Sequence, residues 1–304
     1  MEKTLLFLIF SFLTLPLIYS QSGGTVSFRP YNKKIPIDSC KYCITYKYEF
    51  FTDTLKKIKY YDSKILEIGE KFTRYSSISA DKIDSVFFTV QQGKGRKNYK
   101  NIAIDGINPV LEAGLNQKEI PMREDVYINY PAKELMTVSI NFHSLEYIYK
   151  EPVFKFAWKI QSDTTSILGY KCLKATTTFR GRNYEVWFTP FIPIRQGPWK
   201  FNGLPGLILK ATDTNGYFEW RATGIEKPQN IAIYTYNFEK SSLQETTREN
   251  VMRLQHKRWQ DPISLMFAGI SSLQKVMTVD KNNKLKEIKH GSYQLPYIPI
   301  PELE

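Results

Sequence analysis

Gly197-Pro198-Trp199-Lys200-Phe201-Asn202-Gly203-Leu204-Pro205-Gly206-Leu207-Ile208 is the stretch from which the fold of this chain can best be read. Its prolines fix φ and its glycines reach positive φ at little cost, so the run specifies one defined loop conformation. A flexible linker is rich in serine and glycine and carries few large apolar side chains. The aromatic and leucine side chains therefore predict a packed loop, and the apolar residues from Leu207 onward predict a strand that enters the core.

The residues around this loop predict strands. Residues 42–50 place an apolar side chain at every second position, which is the period of a strand with one buried face. Residues 170–179 and 184–189 predict a hairpin with its turn at Arg180-Gly181-Arg182, and Asn215-Gly216 favours another tight turn. Together these features predict a mainly β fold with a large curved antiparallel sheet, either a half-barrel or sandwich-like, and two C-terminal helices.

The helix signals come late in the chain. Residues 242–245 form a capping box, which predicts a helix to about residue 259. Asp261-Pro262 predicts the start of a second helix that runs to about residue 273. Earlier in the chain, residues 61–63 predict a hairpin break between two strands. Residues 80–133 predict irregular structure with a short helix near residues 110–115.

The N-terminus has the pattern of a secretory signal peptide. Residues 1–20 combine a charged start, an apolar run and the small residue Ser20. The alternative is an uncleaved membrane helix, because the apolar run is only slightly shorter than a membrane span. We expect an exported protein that is periplasmic, outer-membrane-associated or extracellular. Residues 21–304 then form a single β-rich domain, with no transmembrane segment after signal cleavage.

The composition is basic. The chain has 42 Lys and Arg against 30 Asp and Glu, a formal net charge of +12. Such a balance suits nucleic acid, anionic lipid or acidic glycan as a partner. Export makes nucleic acid the least suitable of these, and we predict no nucleic-acid partner. Because the excess charge is spread along the chain, a solvated basic surface without a specific partner is the alternative interpretation.

Three cysteines are present, Cys40, Cys43 and Cys172. In an oxidising compartment one pair is expected to form a disulfide and leave one thiol over. A local Cys40–Cys43 bridge and a long-range bridge from either of them to Cys172 both fit the sequence. The spacing lacks the strand–turn–helix context of a redox-active motif, so a structural role is predicted.

Several segments resemble the GLPGLI family, which consists of secreted proteins of Gram-negative bacteria whose biochemical role is largely uncharacterised. Residues 203–208 match the signature of that family, and residues 169–201 resemble the approach to it. Residues 300–304, Ile-Pro-Glu-Leu-Glu, resemble the usual ending of the family. The resemblance implies export and a cell-envelope setting, often beside outer-membrane transport systems. It implies no catalytic residues.

The aromatic and basic residues around the loop make up the candidate site. Large aromatic side chains can floor an apolar pocket or simply fill the core, and both interpretations remain open. Basic groups beside them, including Arg180 and Arg182, can receive an acidic group of a ligand. The candidate ligand- or partner-binding residues are Trp187, Arg195, Trp199, Lys200, Phe201 and Leu204, and the structural loop residues are Gly203, Pro205 and Gly206.

No catalytic residue, metal site or cofactor is predicted. The sequence has no nucleophile elbow, no metal-ligand spacing and no carboxylates that are paired in sequence. The first functional hypothesis is therefore an exported, non-catalytic envelope protein that binds a small apolar or peptide-like ligand or an outer-membrane transport component. A structural partner of an outer-membrane transporter is a related possibility. The alternative is a hydrolase whose site is assembled from distant strands, which would show a carboxylate or histidine with a shifted pKa in a cleft beside the loop.

Overall fold

The computed structural model describes residues 34–53, 57–93, 118–142, 145–237, 243–260, 276–279, 285–288 and 301–302. The helices in this part of the chain are α1 (Ile78–Gly93) and α2 (Arg248–Gln260). The strands are β1 (Lys34–Ser39), β2 (Tyr42–Asp53), β3 (Ile58–Ile68), β4 (Thr73–Ser77), β5 (Glu124–Ile128), β6 (Leu135–Phe142), β7 (Leu145–Pro152), β8 (Lys159–Ile167), β9 (Tyr170–Phe179), β10 (Arg182–Thr189), β11 (Leu207–Asp213), β12 (Phe218–Glu226), β13 (Ala232–Tyr236), β14 (Leu243–Glu245), β15 (Val276–Val279) and β16 (Leu285–Ile288).

One sheet of 12 strands forms the body of the protein, in the order β14-β7-β6-β5-β4-β3-β2-β12-β11-β10-β9-β8. Strands β2 to β7 follow one another as an antiparallel meander, and β8 to β12 form a second one. The two meanders join where β12 pairs with β2 in antiparallel register, Trp220 opposite Tyr48. β14 pairs in parallel with β7, while β1–β13 and β15–β16 are separate two-stranded ribbons. The prediction of a mainly β fold with a large sheet is confirmed.

The alternation seen in the sequence divides the sheet into a buried and a polar face. On β2, Ile44, Tyr46 and Tyr48 are buried, whereas Lys47 between them is exposed. Along a strand, side chains alternate between the two faces, so these buried residues share one face. The face is continued by Trp220 on β12 and carries the core of the protein. We call it the inner face.

The sheet is curved enough to bring its two ends together. β7 and β9 each lie second from an edge, at opposite ends of the strand order. Nevertheless, Arg180 in the turn after β9 donates to Glu151 on β7 at 2.5 Å. The rings of Phe154, just after β7, and Phe179 on β9 are 4.7 Å apart. The chain therefore passes directly from β7, near one end of the sheet, to β8 at the other end, at the place where the two ends meet.

The structure corrects two predictions for the region from β3 onward. Residues 61–63 do not break a hairpin but lie inside the single strand β3. Asp62 is buried there because its carboxylate accepts from Ser77 at 2.8 Å and from the backbone N–H of Met122 at 2.8 Å, and pairs with Lys64 at 3.0 Å. Residues 80–133 are predicted to be mostly irregular, but residues 78–93 form α1 and residues 124–128 form β5. α1 begins after Ser77, whose hydroxyl accepts from the N–H of Ala80.

The first C-terminal helix is present but begins later than predicted. Residues 243–245 pair with β7 as a strand, so this tertiary pairing overrides the capping box. α2 begins instead after Thr247, whose hydroxyl accepts from the N–H of Asn250 at 3.3 Å. Residues 153–158 form no strand, and β8 begins at Lys159. The predicted signal peptide, the short helix near residues 110–115 and the second C-terminal helix lie outside the described residues.

Candidate functional site

The loop between β10 and β11, residues 190–206, folds back onto the inner face, as its composition predicts. Gly203 has φ of +97°, a conformation that glycine adopts without strain. A Cβ on Gly206 would lie 2.2 Å from the carbonyl oxygen of Thr189, so only glycine fits there. Trp199 itself has φ of +57°, and its ring stacks on Trp220 at 5.8 Å. Trp199 and the two residues after it, Lys200 and Phe201, are all buried.

The six predicted binding residues do not form one surface. The side chains of Trp199, Phe201 and Leu204 are buried in the core cluster, and Lys200 is buried beside them. Arg195 is exposed and closes the loop by donating to the carbonyl of Gly203 at 2.7 and 3.2 Å. Trp187 is half-buried on the side of the sheet opposite to the inner face, which we call the outer face. There its indole N–H donates to the carboxylate of Glu185 at 3.1 Å. The three apolar loop side chains thus fill the core, and Lys200 remains the residue of interest.

Lys200 is the centre of a buried ionic cluster that we call the carboxylate seat. Its ammonium donates to Glu151 at 2.9 Å and to the hydroxyl of Tyr149 at 3.0 Å, and it also contacts the carboxylate of Glu302. The seat draws residues from β7, the β9–β10 turn, β10, the loop and α2, and consists of Glu151, Arg180, Tyr184, Lys200 and Arg248. Its side chains come from elements far apart in sequence that the curvature of the sheet brings together.

The seat holds a short segment of the chain itself, Pro301-Glu302. The carboxylate of Glu302 accepts from three cationic side chains: Lys200, Arg180, and Arg248 at 2.5 Å. The hydroxyl of Tyr184 donates to the carbonyl oxygen of Pro301 at 2.5 Å. One side chain and one main-chain group are therefore recognised together. This is how a peptide with an acidic residue is bound in many complexes.

The electrostatics of the seat are those of a site built for negative charge. The side chains of Lys200 and Glu302 are 0% and 4% exposed. Burial raises the pKa of Glu302, but Lys200, Arg180 and Arg248 outweigh burial and hold that pKa below its usual range. Burial lowers the pKa of Lys200, but its neighbours Tyr149, Glu302 and Glu151 outweigh burial and raise it. Both groups are therefore charged at neutral pH.

The cations of the seat are also positioned by aromatic rings. The Lys200 ammonium lies 5.4 Å from the ring centre of Trp199 and 5.3 Å from that of Tyr149. The guanidinium of Arg180 lies 4.9 Å from the ring of Phe179. Such cation–π contacts stabilise positive charge where water is excluded. The buried ring of Trp199 in the loop therefore contacts a cation of the seat without itself being exposed to a ligand.

Sequence reasoning found part of this site and missed the rest. It named Lys200 and proposed that Arg180 receives an acidic group, and the structure places both on the carboxylate of Glu302. It did not name Glu151, Tyr184 or Arg248 as site residues. Signals for Glu302 and Lys200 were present, since both lie in segments that carry the GLPGLI resemblance. Nothing in the sequence indicates that these two segments meet.

Glu124 on β5 is a second acidic group beside the loop. Its carboxylate accepts from the indole N–H of Trp199 at 3.4 Å. Burial raises the pKa of Glu124, although Lys200 and Lys64 oppose that shift. A raised carboxylate pKa is one sign of an acid–base catalyst, but buried structural groups show it as well. Because its donor here is a core tryptophan, Glu124 alone does not favour the hydrolase alternative.

The cysteines are separated by the two hydrophobic clusters. The Sγ atoms of Cys40 and Cys43 are 3.1 Å apart, and both residues are buried beside Ile233. Cys172 is a buried free thiol in the main core. The local pairing of Cys40 with Cys43 is therefore the one that this structure brings into contact, and the long-range bridge to Cys172 is not formed.

The outer face has a shallow groove of about 480 Å³ between β2, β3, β12 and α1. Tyr61, Lys47 and Lys82 are among the residues that line it. None of the six predicted binding residues lines this groove. In the described part of the chain, no helix is long and apolar enough to cross a bilayer.

The chain is similar to one known protein family over part of its length. A family model described as "N-glycanase peptide, N-terminal domain" matches residues 113–248, which is less than half of the chain. The matched range includes all five residues of the seat, whereas Glu302 lies beyond it. No curated protein matches the chain.

Two solved structures, both of PNGF-II, are similar to the chain. The first, in space group P21, has 19% identity and a TM-score of 0.43, and covers 71% of this chain and 33% of that one. The second, in space group C2, has 18% identity and a TM-score of 0.43, with 73% and 34% covered. This chain therefore spans about a third of the length of the proteins that it matches.

Proposed function

We propose that the protein is an exported, non-catalytic binding protein of the cell envelope, and that it holds an acidic, peptide-like ligand in the carboxylate seat. The observation that carries this proposal is the seating of Pro301-Glu302, with one carboxylate on three cations and one carbonyl on Tyr184. The N-terminal signal pattern and the GLPGLI resemblance support export and the envelope setting.

The charge count supports an anionic ligand. The seat contributes three cations, Lys200, Arg180 and Arg248, but only one carboxylate of its own, that of Glu151. Without an incoming carboxylate, Lys200 and Arg180 share Glu151, and Arg248 loses the carboxylate that it contacts in the described structure. A buried unpaired charge is strongly unfavourable. A ligand that supplies a carboxylate is therefore recognised by its charge as well as by its shape.

The main-chain contact supports a peptide as the carrier of that carboxylate. Tyr184 is fully buried, and its hydroxyl donates to a peptide carbonyl one residue before the acidic side chain. The family model that contains the seat residues is described by reference to an N-glycanase. We therefore favour the peptide part of a glycoprotein as the source of the ligand. An acidic segment of an outer-membrane transport component would present the same chemistry.

The test uses the full chain with Glu302→Ala, which removes the resident carboxylate from the seat, and a fluorescein-labelled acetyl-Ile-Pro-Glu-Leu-amide peptide. Fluorescence anisotropy should show binding at least about tenfold tighter than for the same peptide with Gln in place of Glu, because a hydrogen bond to a charged group is worth about 1.5–3 kcal/mol. The matched control is Glu302→Ala with Lys200→Met, which should lose most of that preference. Equal affinity for the two peptides would refute the proposal.

The same two variants distinguish the sources of the ligand. Each is exported in a Gram-negative host, recovered gently and examined by native mass spectrometry. A glycopeptide retained by Glu302→Ala and absent from the double variant supports a glycoprotein source. An intact envelope protein retained in the same pattern supports a transport partner.

A further inference from the structure

The segment that occupies the seat is held in the manner of a ligand. Pro301 and Glu302 belong to no strand or helix among the described residues. Their polar contacts with the body run through the side chains of Tyr184, Lys200, Arg180 and Arg248. The side chains of the seat itself belong to the main sheet, its loop and α2.

Among the described residues, displacing Pro301-Glu302 breaks these side-chain contacts and opens no ladder of backbone hydrogen bonds. The charges limit the open state, however, because without a carboxylate in the seat Lys200 and Arg180 share Glu151, and Arg248 loses the carboxylate that it contacts. The segment therefore exchanges for another carboxylate more readily than for water. This favours competition between two acidic segments over spontaneous opening.

We propose that Pro301-Glu302 is a built-in competitor that keeps the carboxylate seat closed until an acidic segment of another polypeptide displaces it. This inference rests on the proposed function and adds a regulation of the same site. Because the competitor is part of the chain, its binding to the seat is intramolecular, which favours it over a free peptide at low concentration. A free peptide must overcome that advantage. The seat then responds to partners that are abundant, multivalent or held close by.

The experiment compares the unaltered chain with Glu302→Ala and with Glu302→Gln, using the same labelled acetyl-Ile-Pro-Glu-Leu-amide peptide. The unaltered chain should bind it at least about tenfold more weakly than either variant, because only the unaltered chain has a carboxylate in competition. Equal affinity of the unaltered chain and the variants overturns the regulation and leaves the binding function standing. Absence of binding to both folded variants overturns the function itself.

A second measurement avoids any variant that fails to fold. The unaltered chain is treated with a carbodiimide, which joins a carboxylate to a contacting amine, with and without a saturating concentration of the peptide. The Lys200–Glu302 cross-link should fall and a cross-link from Lys200 to the peptide should appear in mass spectra of the digest, because the Lys200 ammonium contacts the carboxylate that occupies the seat. An unchanged Lys200–Glu302 cross-link while the peptide is bound contradicts displacement. The Gln peptide at the same concentration is the control, and it should leave the Lys200–Glu302 cross-link unchanged.

Discussion

Replacing Glu302 with glutamine removes one of two carboxylates from a buried cluster that has three cations. Glutamine keeps nearly the same shape, so the change tests charge and not packing. With Glu302, two carboxylates contact the three cations directly; without it, Lys200 and Arg180 share Glu151, and Arg248 loses its contacting carboxylate. Removing one partner of a buried ion pair costs about 3–5 kcal/mol. We expect Glu302→Gln to lower the free energy of unfolding by an amount in that range.

Lys200→Met should be less damaging than Glu302→Gln, although the Lys200 side chain is fully buried. The change leaves two cations, Arg180 and Arg248, against two carboxylates, so the remaining charges balance. The cost is the loss of hydrogen bonds to charged groups, about 1.5–3 kcal/mol. The double variant should show a coupling energy of about 1–3 kcal/mol between the two sites, because the groups are in direct contact.

The assay is urea unfolding followed by far-UV circular dichroism, with the midpoint and the slope m fitted for each variant. The control is Glu49→Gln, which removes a carboxylate that pairs with Lys47 at 2.7 Å on the outer face. Exposed pairs of this kind are worth about 0–1 kcal/mol. A Glu302→Gln effect no larger than that of Glu49→Gln, or a coupling energy near zero, would refute the assignment of Glu302 to the seat.

Three further predictions follow from single features. Burial raises the pKa of Glu124, so the folded chain binds a proton at this carboxylate more tightly than the unfolded chain does. The free energy of unfolding therefore falls as the pH rises above about 4.3, the ordinary pKa of glutamate. Glu124→Gln should raise stability at pH 7 and weaken this fall, as measured by unfolding at a series of pH values. Mild oxidation should join Cys40 to Cys43 and raise the free energy of unfolding by about 2 kcal/mol. Peptide mapping should show Cys172 as a free thiol, and a bridge to Cys172 would contradict this prediction. Gly206→Ala should cost about 1–3 kcal/mol in urea unfolding, because the new Cβ would meet the Thr189 carbonyl; a neutral effect would contradict the packing of the loop.

The parts of the fold that could be predicted are those specified by local sequence. The β9–β10 hairpin was predicted within two residues, because β-branched alternation and the Arg180-Gly181 turn both act over short range. The packed state of residues 197–208 followed from the combination of fixed backbone and large apolar side chains. In each case the relevant partners lie close together along the chain.

The errors lie where a distant partner determines the local structure. Asp62 looks like a turn residue in the sequence, but Met122 and Ser77 satisfy its carboxylate inside a strand. Residues 243–245 look like a helix start, but β7 recruits them as a strand. Glu302 is 102 residues from Lys200, so the sequence does not show that the two meet. The candidate site depends on such contacts, which is why only part of it was predicted.

The most direct measurement is a crystal structure of the Glu302→Ala chain in complex with acetyl-Ile-Pro-Glu-Leu-amide. We expect the peptide carboxylate to contact Lys200, Arg180 and Arg248, and the carbonyl before it to lie within hydrogen-bond distance of the Tyr184 hydroxyl. A peptide bound elsewhere, or an ordered fold with an empty seat at saturating peptide, would contradict the claim that the seat recognises an acidic peptide segment.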